Sequence, residues 1–192
     1  MRYSAAHKAQ SRAQIIEAAR TLFRREGFDA PSIDQVMGAA GLTRGAFYAH
    51  FPSKEALVEA VLEIEAGLVR VLREAVGSEP GMEGVLAALR HHLSPQQRQD
   101  VAQGCPLVAH PVDAIRGGPG RRERYEARFF HLVDALSEAG LGRDAAIEVA
   151  VLTVGAGLIS AAVADPSRAD QVSRVCADAI AEKLAVVLGP PG

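Results

Sequence analysis

The 192-residue sequence has no tryptophan, few aromatic residues (5%) and only two cysteines. Cys105 and Cys176 are too few for the disulfide framework of a small secreted domain. The first residues do not combine a basic start with an apolar run, so no secretory signal is predicted and a cytoplasmic protein is expected. No segment alternates apolar and polar residues as a half-buried strand does, which predicts an all-α fold.

Neither positive nor negative charge dominates the chain, since it has 21 Lys and Arg residues and 23 Asp and Glu residues. The net charge of −2 alone gives no indication of a nucleic-acid partner. The distribution is uneven, because residues 1–57 carry 8 basic and 5 acidic groups and the rest carries 13 and 18. A basic N-terminal region on an acidic remainder fits a nucleic-acid-binding module joined to another domain. Hydrophobic residues make up 48% of the chain, enough for a substantial core.

The segment from Ser32 to Phe51 predicts two short helices around one tight turn. The first helix carries apolar residues at helical spacing, namely Ile33, Val36, Met37 and Ala40. Gly41 then suits the left-handed conformation that ends a helix. Thr43 is a suitable N-cap for the second helix, and Pro52 ends it because the residue before a proline avoids helical angles. A helix, a glycine-containing turn and a short capped helix are the plan of a DNA-binding helix-turn-helix.

One helix is predicted before this motif. Ser11-Arg12-Ala13-Gln14 fits a capping box, so the helix is expected to begin there and Met1–Gln10 to form a polar arm. Gly27 ends the helix, and Phe28 is expected to fold back onto Phe23. Three helices with a shared apolar side therefore make a compact headpiece.

Six further helices are predicted after the motif, from apolar periodicity. The fourth helix is long, from Ser53 to about Val76, and connects the headpiece to the rest. The fifth ends at Ser94-Pro95, and the polar segment 96–104 is expected to be irregular. The remaining predicted helices are a sixth with Pro106 in its first turn and an end at Gly117–Gly120, a seventh closed by Gly140, an eighth over Ala145–Ala164 capped by Asp144, and a ninth over about Ala169–Leu188.

The eighth predicted helix is apolar almost all round, with Glu148 as its only charge. Its length approaches the ~20 residues of a transmembrane span. It lacks the basic flank and the aromatic belt of such spans, so we expect no membrane contact and a helix that is buried on two sides. Together with the ninth helix it can bury one side in its own domain and the other in a second copy.

The order of residues in the first third of the chain is similar to that of a known family. The matching stretches are Ile15-Ile16-Glu17-Ala18-Ala19, Leu22-Phe23, Gly27-Phe28, Ser32-Ile33-Asp34 and the run from Ala40 to Leu57. They resemble the headpiece of the tetracycline-repressor (TetR) family. The resemblance implies a nine-helix, two-domain regulator, with a helix-turn-helix headpiece over residues 9–56 (motif 32–51) and a ligand-binding and dimerisation domain over 57–190.

The same resemblance implies the partners of the protein. They are double-stranded DNA with a palindromic operator, a small-molecule inducer, and a second copy of the chain held through the helices at about 144–164 and 169–188. The implied function is that of a homodimeric transcriptional repressor, which the inducer releases from its operator.

Eight residues in and beside the motif are predicted to contact DNA: Ser32, Thr43, Arg44, Gly45, Ala46, Tyr48, His50 and Lys54. The Arg44 guanidinium suits a guanine edge or a phosphate. Gly45 and Ala46 are small and permit a close approach, whereas Tyr48 and His50 carry polar tips suited to phosphates. The family commonly has Thr in place of Ala46 and Leu in place of Phe47, so one possible hydroxyl contact is absent here.

For a ligand pocket the second domain offers a pool of mostly apolar residues: Leu86, Leu89, Cys105, Leu107, Phe129, Phe130 and Leu158. Cys105 precedes a predicted helix start and has two interpretations. It is either a reactive thiol, which would make the protein a redox- or electrophile-sensing repressor, or a small buried core residue.

A different functional class is a metal-binding or enzymatic helical protein that uses Cys105 with His91, His92 and His110, or a Cys105–His110–Asp113 hydrolase. The spacing of these residues matches no zinc pattern, and nothing builds an oxyanion hole. We therefore expect no enzymatic activity, no metal and no cofactor. A third class is a purely helical interaction protein, which would show no salt-dependent DNA binding.

Overall fold

The computed structural model describes residues 5–63, 67–78, 82–99 and 105–188, and within these ranges every regular element is a helix. The predicted all-α class is therefore confirmed. The chain divides into two compact units. The first, which we call the headpiece, contains α1 (Ala5–Glu26), α2 (Ile33–Ala39), α3 (Arg44–Phe47) and α4 (Lys54–Glu63). The second, the body, contains α5 (Gly67–Ser78), α6 (Met82–His92), α7 (Pro95–Gln99), α8 (Pro106–Ala109), α9 (Pro111–Arg116), α10 (Pro119–Glu138), α11 (Arg143–Ala162) and α12 (Pro166–Leu188).

The headpiece is built on α1, which packs against α2 and α4, while α2 packs against α3. Gly27 ends α1 with a φ of 79°, and the rings of Phe23 and Phe28 meet edge to face at 5.5 Å. The predicted stop and its apolar contact are thus confirmed. Side chains from all four helices form one core, whose largest buried members are Ile15, Phe23, Phe28, Met37, Phe47 and Leu57.

The start of α1 differs from the prediction. The helix begins at Ala5, so residues 5–10 are not an extended arm; residues 1–4 lie outside the described part of the chain. Ser11 is 6% exposed and lies one helical turn before the buried Ile15, on the same face. The capping-box pattern at Ser11 was misleading because the helical register of the core face continues toward the N-terminus.

The predicted fourth helix corresponds to two described helices, α4 and α5. Residues 64–66 between them lie outside the described residues, so a continuous helix from Ser53 to Val76 stays a prediction. Helix α4 belongs to the headpiece, because Leu57, Val58 and Val61 are buried in its core. The domain boundary predicted after residue 56 falls inside this helix.

In the body, α11 packs against α10 and α12, and α5 packs against α6 and α10. Their buried faces share one core, whose largest buried members are Leu72, Leu89, Leu107, Leu132, Leu136 and Ile180. Gly157 permits a close approach of α11 to α8, since a Cβ there would lie 2.8 Å from a methyl group of Val108. A small residue on α11 therefore serves a contact within the body.

The predicted number of nine helices is wrong, because the described residues of the body include one helix in a segment expected to be irregular and two short helices in place of the predicted sixth. Pro95 begins α7 inside the segment expected to be irregular, of which residues 100–104 lie outside the described part. Pro111 begins α9 directly after His110, so the predicted sixth helix is two short ones. Proline accepts the first turn of a helix but interrupts a continuing one.

The boundaries of the last two helices shift slightly from the prediction. Gly142 occupies the N-cap position of α11, and Asp144 lies in its first turn. Helix α12 begins three residues earlier than predicted, because the Asp165 carboxylate accepts hydrogen bonds from the amides of Ser167 and Arg168 at 2.8 and 3.2 Å. A hydrogen bond from the Ser167 hydroxyl, followed by these two, holds the pKa of Asp165 below its ordinary value.

Helix α11 has the length and composition of a membrane span, with a mean hydropathy of 1.9 over its most apolar part. Its residues divide into two faces. One face is buried in the body and includes Ala146, Val149, Ala150, Thr153, Ala156 and Ser160. The hydroxyl of Thr153 donates to the carbonyl of Val149 at 2.7 Å, which satisfies its polarity inside the core. One face of α11 therefore packs in the body core, and 33% of its most apolar part is buried.

Candidate nucleic-acid interface

The turn between α2 and α3 is fixed by its own sequence. The Ser32 hydroxyl accepts from the Gln35 amide at 3.2 Å, and the Gln35 side chain accepts from the Ser32 amide at 2.7 Å. This reciprocal capping box confirms the predicted start of α2. Gly41 has a φ of 68°, as the predicted helix stop requires, and the Leu42 amide donates to the Met37 carbonyl at 2.9 Å. The chain thus enters α3 at a defined angle.

Helix α3 is a single turn, and its residues separate sharply by exposure. Phe47 is fully buried in the headpiece core and contacts the ring of Phe51 at 5.8 Å. Tyr48 is 58% exposed and leans edge-on against Phe47 at 5.3 Å. The phenyl ring of Phe47 therefore anchors the helix, and Tyr48 is left on its exposed side. Phe47 is a core residue, as the sequence suggested.

The residues at the start of α3 are exposed and only lightly constrained. Thr43 occupies the N-cap position with extended angles, but its hydroxyl makes no cap hydrogen bond. A Cβ added at Gly45 would meet no atom within 4 Å, so the headpiece itself does not require glycine there. Together with Ala46, this end of the helix leaves room for a large partner to approach its backbone.

Arg44 is held across the turn by an acidic residue that sequence reasoning did not single out. Its Nη1 atom lies 2.6 Å from Oδ2 of Asp34, in the first turn of α2. Both side chains are more than half exposed, so this pair adds at most about 1 kcal/mol to stability. Its effect is to hold the guanidinium near the start of α2, beside Ser32.

Lys54 has a structural contact besides its predicted one. Its Nζ donates to the carbonyl of Asp29 at 2.8 Å, which ties the first turn of α4 to the loop after α1. The Ser53 hydroxyl caps the same helix by accepting from the Ala56 amide at 3.1 Å. Lys54 is therefore held at the N-terminal end of α4, where the helix dipole adds positive potential.

His50 follows α3 and lines a groove of about 460 Å³ with Thr43 and Ala46. The other side of the groove is the first part of α1, with His7, Lys8 and Ser11. Partial burial lowers the pKa of His50, and the positive charges of Lys8, Arg12 and His7 lower it further. Three predicted contact residues thus share one groove.

Sequence reasoning missed the contribution of α1 to this groove. His7 and Lys8 were assigned to an arm, whereas the structure places them on a helix beside α3. Arg12 was also overlooked, and its guanidinium stacks over the Phe51 ring at 5.0 Å. The available signal was the pair Ala5-Ala6 directly before them, since alanine favours helix and extends the register of the core face.

The predicted ligand-pocket residues do not share one environment in the body. Leu89 and Leu107 are 1% exposed, whereas Leu158 is 39% exposed on α11. Leu86, Phe129 and Phe130 are half-buried against the body core. The two phenyl rings meet edge to face at 5.5 Å, and the Arg143 guanidinium covers the second. The exposure of Leu158 places it on the outer face of α11, away from the buried side chains of that helix.

Cys105 occupies the N-cap position of α8 and is 9% exposed. Burial raises the pKa of the nearby Tyr125 hydroxyl, and proximity to Cys105 raises it further. That hydroxyl donates to the Leu107 carbonyl at 2.8 Å. The thiol therefore lies in the body core, the environment of an unreactive cysteine. A sensing role for Cys105 stays a prediction.

His110 and Asp113, the other residues of the hydrolase alternative, do meet. Nδ1 of the buried His110 lies 3.0 Å from Oδ2 of Asp113, at the junction of α8 and α9. Such a pair also links two short helices separated by Pro111. Within the described ranges no three His, Cys, Asp or Glu residues are grouped closely enough to hold a metal ion.

Comparison with known proteins gives consistent matches. A family model described as bacterial regulatory proteins, tetR family, matches residues 15–61, which span from α1 into α4. The uncharacterized HTH-type transcriptional regulator YfiR of Bacillus subtilis (strain 168) is 38% identical over 135 residues. That match covers 68% of this chain and 64% of YfiR, less than two thirds of the relative.

Two further matches extend the comparison. The uncharacterized HTH-type transcriptional regulator TtgW of Pseudomonas putida is 34% identical over 100 residues, which cover 51% of this chain and 75% of TtgW. The crystal structure of a TetR-family transcriptional regulator from Cytophaga hutchinsonii has the same fold, with a TM-score of 0.77 at 20% identity over the full length of both chains.

Proposed function

This chain belongs to the TetR family of bacterial regulatory proteins, and we propose that it is a DNA-binding transcriptional repressor that acts as a homodimer in the cytoplasm. Its operator is a palindrome, and a small molecule bound by the body releases it. The observation that carries the proposal is the exposed rim of the helix-turn-helix. Thr43, Arg44, Gly45 and Tyr48 face solvent around a single helical turn that Phe47 anchors in the core.

The chemistry of this rim suits DNA. Arg44 has a planar, charged guanidinium that suits a guanine edge or a phosphate, and its ion pair with Asp34 fixes the position of that group before DNA binds. The hydroxyls of Thr43 and Tyr48 and the tethered Lys54 suit backbone phosphates. Gly45 and Ala46 leave space for base edges or for the duplex backbone.

One short reading helix binds weakly, so two copies are needed. The outer face of α11 and α12 is apolar and exposed, with Val151, Leu158, Ile159, Val175 and Val186 each at least 39% exposed. An exposed apolar face of this kind marks a protein–protein interface. A second copy related by a two-fold axis covers it, and the two headpieces then read half-sites about one helical turn (~34–36 Å) apart.

Release by a ligand follows from linkage. The dimer has one arrangement in which both headpieces fit their half-sites and another in which they do not. A small molecule that binds the body more tightly in the second arrangement lowers DNA affinity by the difference between its two binding free energies. The continuous helix predicted from Ser53 to Val76 is the element through which we expect this coupling. An inducer that left the separation of the headpieces unchanged would contradict that route.

The proposed function is tested by selecting bound duplexes from a random pool with the purified protein. We expect one palindromic sequence to emerge, with affinity that falls steeply as salt rises because phosphates are neutralised. Failure to enrich any duplex would contradict the proposal and favour a helical interaction protein.

On the selected duplex, Tyr48→Ala is expected to weaken binding about tenfold across sequences, because it removes a neutral contact to a phosphate, and to leave the slope of the salt dependence nearly unchanged. Tyr48→Phe is the matched control, since it keeps the ring against Phe47 and removes only the hydroxyl. Its binding should fall nearly as far. Unchanged affinity of both variants in a titration would remove Tyr48 from the interface.

A further inference from the structure

An ion pair joins the Arg44 guanidinium, on the exposed rim of the helix-turn-helix, to the Asp34 carboxylate. The two residues lie at the starts of α3 and α2, and Nη1 of the arginine is 2.6 Å from Oδ2 of the aspartate. Their side chains are 62% and 57% exposed, so a duplex that meets α3 can reach both. The acidic group lowers the positive charge of a surface that is proposed to bind a polyanion.

The ion pair uses one side of the guanidinium and leaves the other side for a partner. Within the described residues, Nη1 is the one guanidinium nitrogen of Arg44 that makes a hydrogen bond. Nε and Nη2 carry parallel N–H groups on the opposite side, and two such donors can pair with O6 and N7 of a guanine. The bond to Asp34 therefore keeps the donors that read a base available.

The carboxylate of Asp34 also favours one of the two DNA groups that Arg44 could bind. A phosphate on Arg44 would bring a full negative charge close to this carboxylate, and like charges repel at short distance. The O6 and N7 atoms of a guanine belong to a base without net charge, so the same carboxylate disfavours them far less. The ion pair thus makes a phosphate the less favourable partner.

Both ends of the ion pair are attached to well-defined parts of the headpiece. Asp34 is the second residue of α2, and the reciprocal capping box of Ser32 and Gln35 fixes the turn around it. Arg44 is the first residue of α3, which the buried Phe47 anchors in the core. An arginine held in this way has less side-chain freedom to lose when DNA binds.

We propose that Asp34 is a positioning residue, which holds Arg44 for a guanine edge in the major groove and turns it away from the phosphates. The inference rests on the proposed function and narrows it, because it assigns a guanine to each half-site opposite Arg44. Asp34 itself touches no base in this assignment. Its contribution is to sequence discrimination rather than to overall affinity.

The test measures binding to the selected duplex and to duplexes in which each base pair is changed in turn. Arg44→Ala identifies the base pair that Arg44 reads, because discrimination should be lost at that pair alone. The wild type should prefer guanine there by about tenfold or more. Asp34→Asn keeps the shape of the side chain and removes its charge. It should reduce this preference to about threefold or less, because Arg44 can then bind a phosphate on any sequence.

The salt dependence and a combined variant give two further measurements. With Asp34→Asn, the slope of log K against log salt should steepen by about 0.9 per half-site, because Arg44 then neutralises a phosphate. In the Arg44→Ala background, the same change should alter neither the base discrimination nor the slope, because Asp34 acts through Arg44. An Asp34→Asn variant that binds every duplex more weakly and keeps its guanine preference would overturn the inference.

Glu55→Gln is the matched control. Like Asp34, Glu55 is an exposed acidic residue in the first turn of a headpiece helix. Both changes therefore remove one negative charge and a favourable interaction with a helix dipole. We expect Glu55→Gln to keep the wild-type guanine preference. Both variants should nearly keep the thermal midpoint of the wild type, because exposed side chains contribute little to stability.

Three results would overturn the inference and leave the proposed function standing. An unchanged guanine preference in Asp34→Asn would show that the ion pair has no role in reading. An effect of Asp34→Asn on discrimination that persists in the Arg44→Ala background would show a direct base contact by Asp34. A flatter salt slope in Arg44→Ala, with discrimination kept at every pair, would place Arg44 on a phosphate. Absence of any duplex binding by the wild type would overturn the proposed function and the inference together.

Discussion

The headpiece and the body are both built from helices, but they differ in how the helices end and in which side chains they leave exposed. In the headpiece, four helices are stopped and started by local devices, such as the left-handed Gly27 and Gly41 and the Ser32 capping box. Its large apolar side chains are buried in its own core, and the exposed rim of the helix-turn-helix is mostly polar. The body uses helices of 20 or more residues, α10 to α12, and leaves apolar side chains exposed on two of them.

The difference is the one that the proposed function requires of the two units. The proposed DNA-reading surface has to be rigid before the partner arrives. Its short helices α2 and α3 pack around buried phenyl rings, in a unit built on the 22-residue α1. A surface that joins two copies needs contiguous apolar area, which long helices supply. The same distinction predicts that the two units respond differently to substitution.

The largest effect is expected from a charge on the outer face of α11. Ile159→Lys places an ammonium group in the proposed interface between copies, where it has no partner, and should yield a monomer. DNA affinity should fall at least ~100-fold although no headpiece residue changes, because a single reading helix binds weakly. Sedimentation measures the mass, and a duplex titration measures the affinity.

Val112→Lys is the matched control, because Val112 on α9 is also 51% exposed but lies off the α11–α12 face. It should leave both the mass and the affinity unchanged. A dimeric Ile159→Lys variant with wild-type affinity would contradict the division of labour between body and headpiece.

A smaller effect is expected on the stability of the body, through the buried His92. Burial, followed by the charge of His91, lowers the pKa of His92 in α6 to about 4. The unfolded chain, with an ordinary pKa of about 6.5, binds the proton first, so stability is complete above pH 6.5 and is lost as pH falls toward 4. The full shift corresponds to about 3 kcal/mol, and because His92 keeps some exposed surface we expect about 2 kcal/mol.

Urea unfolding between pH 7 and pH 4 measures this loss. His92→Gln should reduce the pH dependence of body unfolding by about that amount, since it removes the titrating group. An identical pH profile for wild type and His92→Gln would show that His92 is not the titrating group.

The smallest effect concerns Gly45 in the headpiece. Gly45→Ala should raise the stability of the free headpiece by up to about 1 kcal/mol, because alanine favours helix and its methyl group meets no atom. If the duplex closely approaches this backbone, the same change should weaken DNA binding about tenfold. A stabilised variant with unchanged affinity would place Gly45 outside the contact surface.

Particular residues show how far sequence reasoning reaches. The motif around Gly41 and Phe47 was predictable because caps, left-handed glycines and apolar spacing act within a few residues of each other. The start of α1 was not, since a polar residue, Ser11, occupies a core-facing position that looked like a cap. The division at Pro111 was also missed, although proline is a strong interruption, because the apolar pattern around it suited one helix.

The sequence was enough to propose which residues form the candidate site, but not which residues lie beside them in the fold. The eight predicted DNA contacts remain predictions, but their surroundings come from tertiary structure alone. Asp34 beside Arg44, the Asp29 carbonyl on Lys54 and Lys8 near His50 join residues that are 10 to 42 positions apart. No local pattern encodes such pairs, because they depend on how α1, α2 and α4 pack.

The sequence by itself determined the helical class and the helix-turn-helix, since hydrophobic period, capping and glycine placement are local properties of the chain. The family came from the resemblance of its residue order to known headpieces. Tertiary structure decided that residues 5–10 contribute a helix to the groove beside α3, and that α11 buries one face while exposing another. An apolar residue has the same spacing whether it faces a core or a partner, and only packing distinguishes the two.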